Sequence, residues 1–237
     1  LPAAYRERPA RPTHTRSYAA GLGVLARLVR AGGFPVLVGV QTFARGVLSV
    51  LLVVLVLGTL GMNGDAVGWL WAAMGVGGLA GAALGAALLR VSRLLRSFAG
   101  GVAVWGVGLV VVAVADNPWV AGLGMVVIGI GNAVEDASVF TSVARLAPRG
   151  TAAQAMGGIE VVVCTGMALG AALAPGLSRT TDIQVALTAV GGVVLAVALG
   201  YLGLFTRVDR AGKRAAADTD VLTGVAIFEP LPLVVVE

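Results

Sequence analysis

The sequence is short of most groups that a soluble enzyme or a nucleic-acid reader depends on. Charged residues make up only 12% of its 237 positions, about half the usual share. Aromatic residues make up 5%. There is a single histidine, His14, in a polar stretch, and a single cysteine, Cys164, inside an apolar run. One Cys cannot form an intrachain disulfide, so cysteine content says nothing about redox compartment. One His and one Cys cannot build a zinc site of ordinary ligand count. Nothing in the chain calls for a cofactor or indicates catalysis.

What is present is apolar. Hydrophobic residues account for 58%, and 35 glycines raise the share to about 73%, against about 45–50% for a soluble domain. Mean hydropathy is +0.94. This excludes a disordered chain, a disulfide scaffold and a nucleic-acid-binding domain, and leaves a polytopic protein of the lipid bilayer. The chain begins with Leu and has no signal-peptide layout, since its first long apolar run starts near Phe34. Its start reads as the middle of a longer protein.

Three regions follow. Residues 1–33 form a basic cytosolic linker, in which Tyr18–Ala31 is an amphipathic helix at the membrane surface or leading into the first span. Residues 34–206 hold six apolar runs: Phe34–Leu60, Ala66–Leu89, Phe98–Ala115, Pro118–Thr141, Ala153–Gly176 and Ile183–Phe205. Each is near the ~20 residues needed to cross ~30 Å of hydrocarbon. Short connections make sequential spans antiparallel. Asn117 before Pro118 is a good helix start. Residues 207–237 are a charged linker and an apolar tail.

Orientation follows from basic residues. Of the 17 Arg and Lys, 15 share one side of a six-span arrangement, Arg179 alone falls opposite, and Arg45 lies inside the first span. Both termini are therefore expected in the cytosol, and the pI near 10.3 is a topology signal. Glycines recur inside the spans, notably Gly75, Gly77, Gly78, Gly81 and Gly85, then Gly122, Gly124, Gly129 and Gly131, then Gly166 and Gly170. Small residues let transmembrane backbones approach. Trp69, Trp71 and Trp119 fall near the outer interface, where indole rings anchor.

The informative residues are the charges within spans: Arg45, Glu135, Asp136 and Glu160. Such groups are costly in lipid and face the bundle interior or a wet path. Their depths from the cytosolic edge are roughly 16 Å for Arg45, 13 Å for Asp136 and 11 Å for Glu160, so they share one band. Gln41, Thr42, Arg45 and Ser49 lie along one helix face. Asn132 and Asp136 are one turn apart, with Glu135 at i+3, and Cys164 is one turn beyond Glu160. A plain structural role would be an Arg–acid pair that holds the bundle. Arg45 can satisfy one or two acids but not three, so at least one is protonated, wet or paired outside this chain. Burial disfavours the charged form of a carboxyl group, which makes such an acid a candidate proton carrier.

Two stretches carry a family resemblance. GVGGLAGAALGAALLRVSRLLR (residues 75–96) resembles the second span and basic loop of the C-terminal half of a major facilitator superfamily transporter. GIGNAVEDASVFTSVARLAPRGTAAQAMGGIE (residues 129–160) resembles the fourth span, loop and fifth span of that half. The RxGRR-type end of the family's loop signature is degenerate here, as Arg90, Arg93 and Arg96. The resemblance implies an all-α, integral-membrane bundle of six helices built as two inverted three-helix repeats, spans seven to twelve of twelve. It implies a secondary active carrier in the plasma membrane that moves a small solute by alternating access, with a missing N-terminal six-span half as partner. Asp136 and Glu160, with Glu135 beside them, would be proton- or cation-coupling acids, and Arg45 their partner or an anion contact. Gln41, Thr42, Ser49 and Asn132 would line the substrate path.

The tail VLTGVAIFEPLPLVVVE (residues 221–237) resembles the start of a cyclic-nucleotide-binding domain, without the segment that cradles phosphate. That raises a cyclic-nucleotide-gated channel as an alternative, but no Arg-rich helix or TVGYG-type pore loop is present. A non-transporting membrane scaffold or scramblase is a further alternative, for which acids aligned at one depth have no use.

Overall fold

A computed structural model describes residues 33–88, 94–146 and 152–223 as helices joined by short turns. The expected surface helix 18–31, the arginines at 90, 93 and 149, and the tail from 224 lie outside the described residues. Helix α1 spans Phe34–Val54 and runs into a π turn, Leu55–Thr59; then come α2 (Asp65–Leu88), α3 (Leu94–Ala113), α4 (Pro118–Leu146), α5 (Ala152–Thr180) and α6 (Ile183–Thr223). Each contains a stretch of 19 to 28 residues apolar enough to span a bilayer, roughly 28–42 Å at 1.5 Å per residue.

Local chemistry explains the helix ends. Gly61 takes φ 60°, a left-handed geometry that costs glycine little. This turns the chain so that Met62 N–H donates to Val56 C=O at 3.0 Å. Asn117 caps α4, its Oδ1 accepting from Val120 N–H at 3.0 Å, with Pro118 in the first helical position. Asp182 caps α6 by accepting from Gln184 N–H at 2.9 Å.

Several sequence boundaries need correction. Helix α3 begins at Leu94 rather than Phe98; an Arg such as Arg96 at a helix start can lay its stem along the helix while its head stays in water. Helix α5 continues past Gly176, through Pro175, to Thr180. There Ser178 Oγ donates to Pro175 C=O and Thr181 Oγ1 to Leu177 C=O, so side chains serve carbonyls that the last turn leaves open. The apolar span of α6 ends at Thr206, one residue past the expected Phe205, and the helix continues through the charged linker to Thr223. The Ala, Lys and Arg of that segment favour helix, and Asp and Gly alone do not break it.

Helix α1 packs along α5, α2 along α4, and α3 along both α4 and α6, while α1 and α6 touch more slightly. Lipid gives helices little hydrophobic reason to associate, so close packing of small residues carries the contacts. The contacts occur twice in related form. On α4, a side chain at Gly129 would meet Met74 C=O and Gly78 N of α2, and one at Gly77 would meet Val126 C=O. On α1, a side chain at Gly46 would meet Met167 C=O and Ala171 N of α5, and one at Gly170 would meet Phe43 C=O. Thus α1 corresponds to α4 and α2 to α5.

The third pair, α3 and α6, corresponds to itself. A Cβ on Gly106 would lie 3.1 Å from Leu195 N, and a Cβ on Gly191 would lie 3.2 Å from Val110 N. Such reciprocity marks a local twofold axis between the two helices. The six helices are therefore two inverted three-helix repeats.

Candidate functional site

The polar residues of three helices meet in one small cavity. Helix α1 contributes Gln41, Thr42 and Arg45; α4 contributes Glu135, Asp136, Val139 and Phe140; α5 contributes Met156, Ile159, Glu160 and Val163. Val38 completes the lining of a space of about 150 Å³. It opens where α4 and α5 make few contacts with each other. Larger grooves occur on the flanks of the bundle. One of about 540 Å³ between α1 and α5 is lined by residues such as Val40, Phe43 and Leu169 and carries no ionisable group.

Beside the cavity a short relay crosses from α1 to α4 through Asn132, which is not itself part of the lining. Arg45 Nη2 donates to Asn132 Oδ1 at 2.7 Å. Asn132 Nδ2 in turn donates to Asp136 Oδ2 at 2.9 Å. The i, i+4 spacing places Asn132 and Asp136 one above the other on α4, and the long Arg45 side chain reaches across from α1 to Asn132. The direct Arg–acid pair expected from sequence is replaced by this amide-bridged arrangement. A bridging amide serves both ends because it has an acceptor oxygen and donor hydrogens.

The three acids differ in surroundings. Asp136 and Glu160 are exposed. Glu160 Oε1 accepts a long contact, 3.8 Å, from Cys164 Sγ, one turn further along α5. Glu135 is 4% exposed, and its Oε2 is buried without a hydrogen-bond partner. It is buried because α3 comes close there: a Cβ on Gly101 would sit 2.9 Å from Glu135 N. Gln41 is 1% exposed, with its Nε2 buried and unpartnered. An unpaired buried polar group costs about 1–3 kcal/mol, so Glu135 and Gln41 together are a notable deficit on one cavity wall.

The remaining expected residues are more local. Thr42 Oγ1 donates to Val38 C=O at 2.9 Å while its residue lines the cavity. Ser49 does not line it; its hydroxyl donates to Gly46 C=O at 2.7 Å, which satisfies it within its own helix. Trp69 and Trp119 are strongly exposed, whereas Trp71 is half-buried and packs on the core. The apolar cavity residues were missed from sequence. Their signal was their spacing: Val139 and Phe140 are three and four residues beyond Asp136, and Met156 and Val163 flank Glu160 by four and three.

Six apolar helices in two inverted repeats, three of them lining a charged cavity, define an architecture, and a comparison with family models decides among its owners. The model of the Major Facilitator Superfamily matches residues 36–234. The chain belongs to the major facilitator superfamily. No curated protein and no solved structure matches it. Members of the superfamily are membrane transporters of small molecules rather than enzymes, and the match takes in all six helices of this one. It also takes in most of residues 221–237, the segment in which a nucleotide-binding domain was expected to start; of that segment only Val221–Thr223 is described, as helix.

Proposed function

We propose that this chain forms six spans of a secondary active carrier of the plasma membrane, with both termini in the cytosol, and that it moves a small solute by alternating access with proton coupling. The observation that carries the reading is the cavity shared by α1, α4 and α5. It holds an Arg, two acids open to the cavity mouth and one buried carboxyl oxygen with no partner, with an amide relay beside it. Ionisable groups at membrane depth that face a cavity mark substrate and proton paths. Asp136 and Glu160 are the coupling acids, with Glu135 behind them as a site where a proton can reside out of water. Arg45, held by Asn132, keeps a positive charge beside Asp136 when the acids exchange protons.

A second six-span half supplies the opposite wall. The exposure of Asp136, Phe140 and Glu160 fits a surface that such a half faces across the transport path. Inverted repeats provide the mechanical means, because two related packings of the same helices can interchange the open side.

The test is solute flux by the full-length protein in proteoliposomes across an imposed pH gradient. Asp136→Asn and Glu160→Gln are each expected to lose pH dependence, with at least a tenfold fall in gradient-driven uptake. If both variants keep wild-type, pH-dependent flux, the coupling role is wrong.

A further inference from the structure

The charge balance of the cavity specifies a ligand. Its lining offers one guanidinium against three carboxyls. The guanidinium is partly engaged, since Arg45 Nη2 donates to Asn132 and that amide's own donor goes to Asp136. The acceptors are not: Glu135 Oε2 has no partner, and Glu160 has only the long thiol contact. Even if one acid carries a proton, negative charge remains in excess. Phe140, on the same lining, adds a ring of the kind whose face attracts cations.

Two further observations narrow the class. No three of the His, Cys, Asp and Glu side chains among the described residues converge as a metal site would require. The carboxyls are thus spread around a space, which suits a cation with extent of its own. The other unpartnered group is a donor, Gln41 Nε2, fully buried on the same lining. It calls for an acceptor on the ligand. The volume, about 150 Å³, equals roughly five water molecules at ~30 Å³ each.

We infer that this cavity binds a small organic cation, an ammonium group of a few heavy atoms that carries a hydroxyl or carbonyl acceptor beside its charge. The ammonium lies against Glu135 and Glu160, and the acceptor takes the Gln41 amide. This rests on the reading of the cavity as the transport site, and adds the sign and chemistry of what enters it.

The experiment measures equilibrium binding to the full-length protein in lipid nanodiscs at neutral pH. The probes are ethanolamine, ethylamine, ethylene glycol and acetate. Ethanolamine is expected to bind saturably, about two- to tenfold more tightly than ethylamine through one extra hydrogen bond; ethylene glycol and acetate are not expected to bind. Gln41→Leu is expected to bring ethanolamine down to the level of ethylamine. Glu135→Gln is expected to weaken both amines by about tenfold or more, the scale of a lost charged hydrogen bond.

Because Glu135 is buried, that variant could fail to fold. Glu160→Gln, at an exposed position, then carries the test and is expected to weaken both amines severalfold. Saturable acetate binding without amine binding overturns the inference. So does amine binding unchanged in Glu160→Gln and Glu135→Gln, or no saturable amine binding to folded protein. Flux separates this from the broader reading: amine binding without any flux in proteoliposomes keeps the cation site and removes the transport role, whereas flux of an acidic solute without amine binding does the opposite.

Discussion

Asn132 stands between Arg45 and Asp136, and its amide lets each of them keep a polar partner. Its i, i+4 relation to Asp136 was legible in the sequence, as was the shared face of Gln41, Thr42 and Arg45, because helical spacing alone dictates them. The bridging of Arg45 was not legible. Spacing gives the angle of a side chain about its own helix, but which neighbour it meets depends on helix–helix distance and rotation. The burial of Glu135 escaped for the same reason, since it depends on the close approach of α3 at Gly101. Removing the bridge should expose its worth. Asn132→Leu leaves Arg45 and Asp136 without their hydrogen bonds and is expected to destabilise the folded protein by about 1–3 kcal/mol, read as a lowered midpoint of denaturant unfolding in detergent. Ser49→Ala is the control. It removes only a bond to its own helix and is expected to shift stability by no more than about 0.5 kcal/mol. Equal midpoints for the two variants would show that the relay contributes nothing.

At the level of helices, the glycines divide into two kinds that sequence counts alike. A side chain at Gly77, Gly81 or Gly129 would strike backbone of a facing helix, whereas one at Gly75 or Gly122 would meet nothing. The abundance of glycine was legible as tight packing, but its distribution between contact and open face was not, because each helix presents several glycine faces and only one finds a partner. The division makes a sharp prediction. Gly129→Ala puts a methyl into the Met74 carbonyl and Gly78 amide, which cannot move without shifting α2, and overpacking of this kind costs about 1–3 kcal/mol. Gly75→Ala meets open space and removes the entropy penalty of a helical glycine, so it is expected to be neutral or to stabilise by about 0.5–1 kcal/mol. Thermal unfolding of the two variants in detergent, side by side, checks the sign. A Gly129→Ala protein as stable as the wild type would mean that α2 and α4 are not in close contact.

Across the whole molecule, the two repeats share their contacts but not their tightness. Gly101 and Gly108 of α3 interlock with Gly124 and Gly131 of α4, whereas the equivalents of Gly108 and Gly131, two residues beyond Gly191 and Gly46, are Val193 and Leu48. The α1–α6 contact is looser, with a gap of about 200 Å³ lined by Val40, Phe43 and Val193 among others. Number, order and alternation of the helices could be read from hydropathy; this asymmetry could not, since it requires knowing which positions are equivalent. The alternation also yields the last prediction. The turns at 60–64, 114–117 and 181–182 share one end of the bundle, two of them tied by Gln184 Nε2 donating to Ala115 C=O at 3.3 Å. That end carries Asp65, Asp116 and Asp182 with Arg179, while Arg96 and Arg145 lie at the opposite ends of α3 and α4. Basic loops are retained in the cytosol during insertion, so the acidic end should face outward. In a Cys164→Ser background, which removes the native thiol, Gly64→Cys is expected to react with a membrane-impermeant maleimide in intact cells. Arg93→Cys is expected to react only after permeabilisation. Because the helices alternate, one reversed result would reverse every loop, and with it the side of the membrane to which Asp136 and Glu160 lie nearer.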